Sequence, residues 1–430
     1  MWIMQTIRGG RMKTNYVGKL SLIFGLTWGL GGLDRLMVGL AAPGYMPALG
    51  LNFSQLGLIA AANGAGVALG AWIIGPLSET HGRRLGAIWG NLAEHVFSGL
   101  SGIVGSFGAM FGVRGLMGAC VGSLYGPAFA AIAEESPPEK RGFYMGFTQS
   151  FWPLIGMGFG PIIAGYLLAG VGWRFAFFLV AIPGVILTLY LASFMKEPKT
   201  VAENIKRRRE TGETKMVHEG QEVHIWDVLK YRNILLATLI SISCMAYLFV
   251  LFAFVPAFFG KVHHLNPVQT GWIMCGGGFL TCIGQVALPH LSDRIGRKPS
   301  LLVLWFIGGL GGVLFAMAPA GTGFGTLALY FALFCVGLSS YPLFLVIVPT
   351  ESVPFTIAAT AVAVPQGVGE VIGATVFPAI GGWIADSYGL TYTMYMVIAA
   401  CAVCFLCSMF LKETAPRVVA RRAKAQAQLA

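Results

Sequence analysis

Twelve apolar runs, each near the roughly 20 residues that a helix needs to cross a bilayer, follow one another along the chain and limit what it can become. They lie at about 18–44, 54–77, 85–106, 109–132, 143–168, 174–195, 233–259, 268–291, 299–318, 325–349, 356–384 and 389–411. Backbone groups in hydrocarbon must be satisfied within the segment, so runs of this length read as helices. Only 11% of the 430 residues are charged and 56% are hydrophobic, too little polar surface for a water-facing globule. The expected fold is therefore all-α: twelve transmembrane helices.

The formal net charge of +11 raises the question of nucleic acid, and the position of the charge answers it. Twenty-five of the 29 lysines and arginines fall on one side if both termini are cytoplasmic; Arg174 and Lys261 fall on the other, and Arg35 and Arg114 lie inside spans. That asymmetry is the positive-inside pattern, and it predicts a multi-pass cell-membrane protein with both termini in the cytoplasm. It leaves no soluble basic domain to bind nucleic acid. The cysteines all lie within spans. Cys401, Cys404 and Cys407 recur every third residue without a histidine or carboxylate beside them, so packing is expected rather than a metal or disulfide.

The sequence also repeats itself. An offset of 214 pairs Gln55 with Gln269, Gly57 with Gly271, Gly64 with Gly278, Gly70 with Gly284, Gly82 with Gly296 and Arg83 with Arg297. An offset of 217 then pairs Gln149 with Gln366, Gly156 with Gly373, Pro161 with Pro378 and Gly165 with Gly382. Two pseudo-symmetric six-helix bundles are expected, at 1–195 and 233–430, the second ending in a short basic tail. A charged cytoplasmic linker at 196–232 joins them. Parallel repeats of this kind place substrate between the halves near the midplane.

The stretch Gly75-Pro76-Leu77-Ser78-Glu79-Thr80-His81-Gly82-Arg83-Arg84 and its second copy Leu291-Ser292-Asp293-Arg294-Ile295-Gly296-Arg297-Lys298 resemble the loop motif after spans two and eight of the major facilitator superfamily. Arg114-Gly115-Leu116-Met117-Gly118 resembles that superfamily's fourth-span motif, and Gly156-Met157-Gly158-Phe159-Gly160-Pro161 its fifth-span Gly-Pro motif. Trp173-Arg174-Phe175 and Lys196-Glu197-Pro198 complete the likeness, which covers nearly the whole chain. The resemblance implies gating at the cytoplasmic face by Gly75, Glu79, Gly82, Arg83, Asp293, Arg294, Gly296 and Arg297. It implies a carrier and not an enzyme, and no nucleophile–base pair or phosphate loop argues otherwise. Within the superfamily, Asp34-Arg35-Leu36-Met37 is similar to the Asp-Arg signature of the anion:cation symporters. Glu134-Glu135-Ser136-Pro137 is similar to the fourth-span end of aromatic-acid and sialate/monocarboxylate proton symporters. Proton-coupled uptake of a small organic acid is therefore expected, with a drug or metabolite exporter as the alternative. The partners are substrate, protons and lipid; a monomer without cofactors is expected.

An ionisable side chain in the bilayer costs at least about 2.5–3.5 kcal/mol on insertion scales, so each needs a reason. Arg35 and Arg114 are candidates for binding the substrate carboxylate, since a guanidinium can grip it with two parallel hydrogen bonds. Gln149, Gln366 and Tyr247 are candidate neutral contacts. Asp34 is the leading proton carrier, with Glu370 and Glu94 as alternatives and Glu370 favoured over Glu94. The symporter group carries a carboxylate two turns after the fourth-span arginine, where this sequence has Val121.

Overall fold

The computed structural model describes residues 2–137, 140–198, 228, 230–353 and 358–421, the side chains of 2–15, 74–81, 125, 358 and 359 excepted. Most of the expected linker lies outside them, as do the side chain of Glu79 and the surroundings of Gly75. In chain order the helices are α1 (Trp2–Leu40), α2 (Ala42–Leu49), α3 (Phe53–His81), α4 (Arg83–Leu100), α5 (Phe107–Glu135), α6 (Arg141–Phe151), α7 (Gly160–Gly170) and α8 (Gly172–Phe194). The second half runs α9 (Arg232–Val262), α10 (Pro267–Ile295), α11 (Arg297–Ala316), α12 (Phe324–Cys335), α13 (Val348–Ser352), α14 (Ala358–Val368), α15 (Phe377–Tyr388) and α16 (Leu390–Phe410). Among the described residues, ten helical segments are long and apolar enough to cross a membrane. The other two expected spans, 18–44 and 85–106, lie on α1 and α4. They are helical too, but they carry Asp34, Arg35 and Glu94, which lower their hydropathy.

Besides Leu343–Ile347, two π-helical segments interrupt the ladder among the described residues, Trp152–Phe159 between α6 and α7 and Gly369–Val376 between α14 and α15. They are related by the same 217-residue offset as the sequence repeat. In each, the wider turn lets a glycine meet the first helix of its half: a Cβ on Gly156 would touch Gly32 and Leu33, and one on Gly373 would touch Ile242, Met245 and Ala246. π-turns inside α-helices concentrate at functional positions.

By contacts the chain forms two units. The first comprises Met1–Met37, Ala62–Gly156 and Gly170–His218, and glycine sets its packing. Gly66 and Gly70 on α3 lie against Gly115 and Ala119 on α5, while Gly118 and Gly122 return the contact at Asn63 and Val67. In lipid no hydrophobic force drives helices together, so dispersion across such close backbones supplies the adhesion. Toward the chain's start a cluster of Val17, Leu20, Phe24, Leu124, Ile132 and Leu191 fills the interior.

The second unit comprises Val38–Ala61, Met157–Ala169 and Glu219–Ala430, so it gathers pieces of both halves of the sequence. Two seams in it are copies of one another. Along α3 and α15, Gly57 abuts Pro378 and Gly382, and Gly382 abuts Phe53 and Ser54. Along α10 and α7, Gly271 abuts Pro161 and Ile162, and Gly165 abuts Pro267 and Val268. The residues that repeat in the sequence are the ones where backbones meet. The helices entering the seams begin alike as well. Asn52 and Gln55 exchange side-chain bonds with each other's backbone N–H at 2.8 and 3.1 Å, and Asn266 and Gln269 do the same. One seam has an extra tie. The Asp386 carboxylate on α15 accepts from the Phe53 and Ser54 backbone N–H groups at 2.9 and 2.7 Å and from the Ser54 hydroxyl at 2.6 Å. The equivalent of Asp386 is Ala169, and the equivalent of Phe53 is Pro267, which has no N–H to donate.

Candidate functional site

Asp34 and Arg35 of α1, Glu94 and His95 of α4 and Arg114 of α5 meet inside the first unit. On α1, Asp34 and Arg35 are consecutive and so point about 100° apart, and the structure gives them different neighbours. Asp34 faces α4 and is completely buried. His95 holds one carboxylate oxygen, Oδ2, at 2.7 Å through Nδ1, and Ser98 donates its hydroxyl to the other, Oδ1, at 2.6 Å. When the Asp34 carboxylate is ionised it can only accept, and His95 Nδ1 then carries the hydrogen. His95 and Ser98 sit three residues apart and share one helix face, which lets both reach the same carboxylate. The His95 ring also fills the space over Gly184 on α8, where a Cβ would strike it.

Arg35 faces α3 instead. Its Nε donates to Asn63 Oδ1 at 2.9 Å, and Asn63 Nδ2 donates on to the Arg114 carbonyl at 3.2 Å. Arg35 retains 9% of its surface, more than any other charged member of the cluster. Arg114 reaches Asp34: Nη1 donates to the Asp34 backbone carbonyl at 2.9 Å. Its guanidinium carbon stands 5.0 Å from the Phe177 ring centroid, and the residue is fully buried. Glu94, 2% exposed, lies where a Cβ on Gly31 of α1 would touch it, and it interacts electrostatically with His95, Asp34, Arg35 and Cys120. Among the described residues Glu94 Oε1 and His95 Nε2 have no hydrogen-bond partner.

Other candidates have neighbours of their own. In the second unit, Tyr341 donates its hydroxyl to Gln366 Oε1 at 2.8 Å, and Gln366 Nε2 approaches Glu370 Oε1 at 3.5 Å. Glu370 stands second in its π-helical segment. Tyr247 belongs to packing in this unit: it is fully buried between Trp305 and Phe334 and donates to the Phe334 carbonyl. Gln149 is half-buried near the end of α6, and its side-chain oxygen has no partner among the described residues.

The two loop motifs prove to be one device built twice. Gly82 and Gly296 turn the chain at φ 114° and 109°, a backbone that side chains rarely adopt. The next helix then starts with its first N–H groups on a distant carboxylate. Glu197 accepts from the Arg83 and Arg84 N–H groups at 2.6 and 3.0 Å, and Glu413 accepts from those of Arg297 and Lys298 at 2.8 and 3.2 Å. A negative charge there satisfies orphan donors and complements the helix dipole. The arginine side chains pair in parallel too, Arg83 with Glu134, and Arg297 with Glu351 at 2.9 Å and Asp293 at 2.5 Å. These described partners all share a unit with their arginine; Arg294 is exposed. Sequence reasoning used Glu197 only as part of a motif and passed over Glu413. The recurrence of Lys-Glu at 196–197 and 412–413 was the available signal. Ser98 and Asn63, polar residues inside spans, were likewise missed.

Two units of packed helices, with ten helical segments among the described residues long and apolar enough to cross a membrane, define a polytopic membrane protein. The family model of the Major Facilitator Superfamily matches residues 24–364, and the chain belongs to that superfamily. Among curated proteins it is 26% identical over 400 residues to the probable 4-methylmuconolactone transporter of Cupriavidus pinatubonensis, covering 90% of this chain and 88% of the relative. It is 25% identical to the probable sulfoacetate transporter SauU of Cupriavidus necator, covering 93% and 94%. With the hexuronate transporter of Bacillus subtilis it shares 27% identity over 62% of each chain. A crystal structure of a bacterial homologue of the human lysosomal transporter Spinster superposes with a TM-score of 0.70 at 16% identity, covering 92% of this chain and 97% of that one. The fold is thus the superfamily's twelve-helix, two-domain architecture, and the protein is a transporter and not an enzyme.

Proposed function

We propose that the chain is a proton-coupled carrier that takes up a small organic anion, a carboxylate, by alternating access, sitting in a bacterial inner membrane as a monomer with both termini cytoplasmic. The observation that carries this reading is the buried cluster of Asp34, Glu94 and His95 with Arg35 and Arg114 in one unit. Buried arginines select against cations, and carboxylates that share their surroundings offer places for a proton. The names of the relatives, a hexuronate and a sulfoacetate transporter among them, support an organic acid as cargo.

Arg35 is the anion seat, oriented by Asn63 through its Nε so that its terminal nitrogens are directed by a fixed fork. Arg114, enclosed in this state, ties α5 to α1 at Asp34. Asp34, with His95 bonded to its carboxylate, makes the proton site. Glu94 takes the place of the fourth-span carboxylate that Val121 lacks, a reading supported by its electrostatic contact with the neighbouring Cys120. Glu370 with Gln366, and Gln149, contribute from the helices that hold the π-segments. Gly75, Glu79, Gly82, Arg83, Asp293, Arg294, Gly296 and Arg297 shape the cytoplasmic gate, with the bundles 1–195 and 233–430 as its moving bodies.

A thermal-shift screen of the purified protein against organic acids tests this directly. One or more carboxylates should stabilise the wild type, and Arg35→Gln should lose that stabilisation while melting normally without ligand. Stabilisation by neutral or cationic compounds only would overturn the reading.

A further inference from the structure

The buried cluster of the first unit has a charge count that proton loading changes. The cluster sets Asp34 and Glu94 against Arg35 and Arg114 around His95. Among the described residues, the charged groups that act on the imidazole or stand beside its partners enter this count. Asp34 and Arg35 come from α1, Arg114 from α5, and Glu94 is its neighbour on α4. From α8 comes Gly184, which makes room for the ring, while the arginine of that helix, Arg174, is bonded to the Gly102 and Val104 carbonyls. The imidazole donates through Nδ1 to Asp34, and Nε2 is fully buried with its lone pair unused among the described residues.

Building on the proton-coupled reading above, we infer that His95 is the group that receives the transported proton, and that the site is made for a singly charged anion carried with one proton. The step is a simple protonation. A proton entering from one side bonds to the Nε2 lone pair, the imidazolium keeps its Nδ1–H bond to the Asp34 carboxylate, and the cluster gains one positive charge. An added charge enclosed in a low dielectric is costly, so the protonated site draws in one negative charge at Arg35. With proton and monoanion both aboard the two changes cancel, and the cluster crosses with the charge it had when empty. Release on the other side reverses both events. Asp34 thereby acts as the fixed counter-charge that makes His95 a proton acceptor, and Ser98 holds that carboxylate in place by its second oxygen.

The test uses full-length protein in proteoliposomes with a carboxylate from the binding screen. In the wild type, a potassium diffusion potential set with valinomycin should leave uptake unchanged, while a pH gradient drives it. His95→Asn keeps an amide that can donate to Asp34 as Nδ1 does, but it cannot take a proton. It should bind and exchange the substrate more weakly than the wild type, lose accumulation under a pH gradient, and lose the wild-type pH profile in whatever exchange it retains. Wild-type uptake that follows the membrane potential would overturn the charge count, whether or not the variant folds. Undiminished gradient-driven accumulation by His95→Asn would overturn the role of His95. If the wild type moves no protons at all, the proton-coupled reading itself falls, and that outcome is distinct from both.

Discussion

Replacing Gly57 with alanine tests whether the repeated glycines form the seams described here. The new Cβ would meet the Pro378 carbonyl oxygen and, at 3.1 Å, the backbone of Gly382. Both obstacles are backbone, so neither can swing aside, and overpacking of this kind costs about 1–3 kcal/mol. Alanine recovers up to about 1 kcal/mol of helix propensity, so the net effect stays destabilising or near neutral at its mildest. On the seam alone, a cost of 1–3 kcal/mol changes the packed-to-open ratio roughly 5- to 150-fold. Gly271→Ala, which meets Pro161 and Ile162 in the equivalent place, should behave alike. Gly112→Ala has nothing within 4 Å, so it should gain that propensity without a clash and melt above both. Thermal unfolding of the three variants in one detergent gives the comparison. If Gly57→Ala and Gly271→Ala melt with or above Gly112→Ala, the seams are not where the sequence repeat acts.

Further outcomes follow from other contacts. Asp386→Asn should weaken the tie on the α3 seam and quicken protection loss of the Phe53 and Ser54 amides in hydrogen exchange; unchanged exchange would count against the tie. Asn63→Leu should raise the apparent KM for the anion about tenfold or more, since the lost hydrogen bond to a charged group is worth about 1.5–3 kcal/mol, with kcat less affected; an unaltered KM would deny the orienting role. Glu413→Gln should lower the melting temperature, and Glu197→Gln should do so comparably, because each caps a helix through two N–H groups. His263, just beyond α9, packs against Phe258, Phe259 and Phe315, and burial pushes its imidazole below its ordinary value, with His264 adding to the effect. The unfolded chain therefore binds more protons than the native one as pH falls below about 6.5, and stability drops there. His263→Phe should remove this share of acid sensitivity; equal melting curves for both proteins across that range would refute it.

The repeat was legible because glycine and proline report geometry directly. Gly57 with Gly271, Pro161 with Pro378 and Gly165 with Gly382 were visible as matched letters, and they mark backbone contact. The matched glutamines Gln55 and Gln269 are explained by paired capping boxes, a local pattern that spacing alone reveals. The π-segments were not legible, since an added residue per turn leaves no mark in hydropathy. Nor was the separation of Asp34 from Arg35 into different networks, although a helical wheel already places them about 100° apart. Which neighbour each acquires depends on α3 and α4, whose polar residues Asn63, His95 and Ser98 give no periodic signal. Glu370 stood ahead of Glu94 on the strength of the repeat, and only tertiary contact brings Glu94 beside Asp34, Arg35 and His95.

The central claim, that one buried cluster couples an organic anion to protons, is most directly tested by following internal pH and substrate together in proteoliposomes. On addition of a carboxylate that binds, the wild type should acidify the lumen in step with uptake, and Asp34→Asn should do neither while still exchanging substrate. Uptake by the wild type without any pH change, or an Asp34→Asn variant that acidifies as the wild type does, would contradict the account.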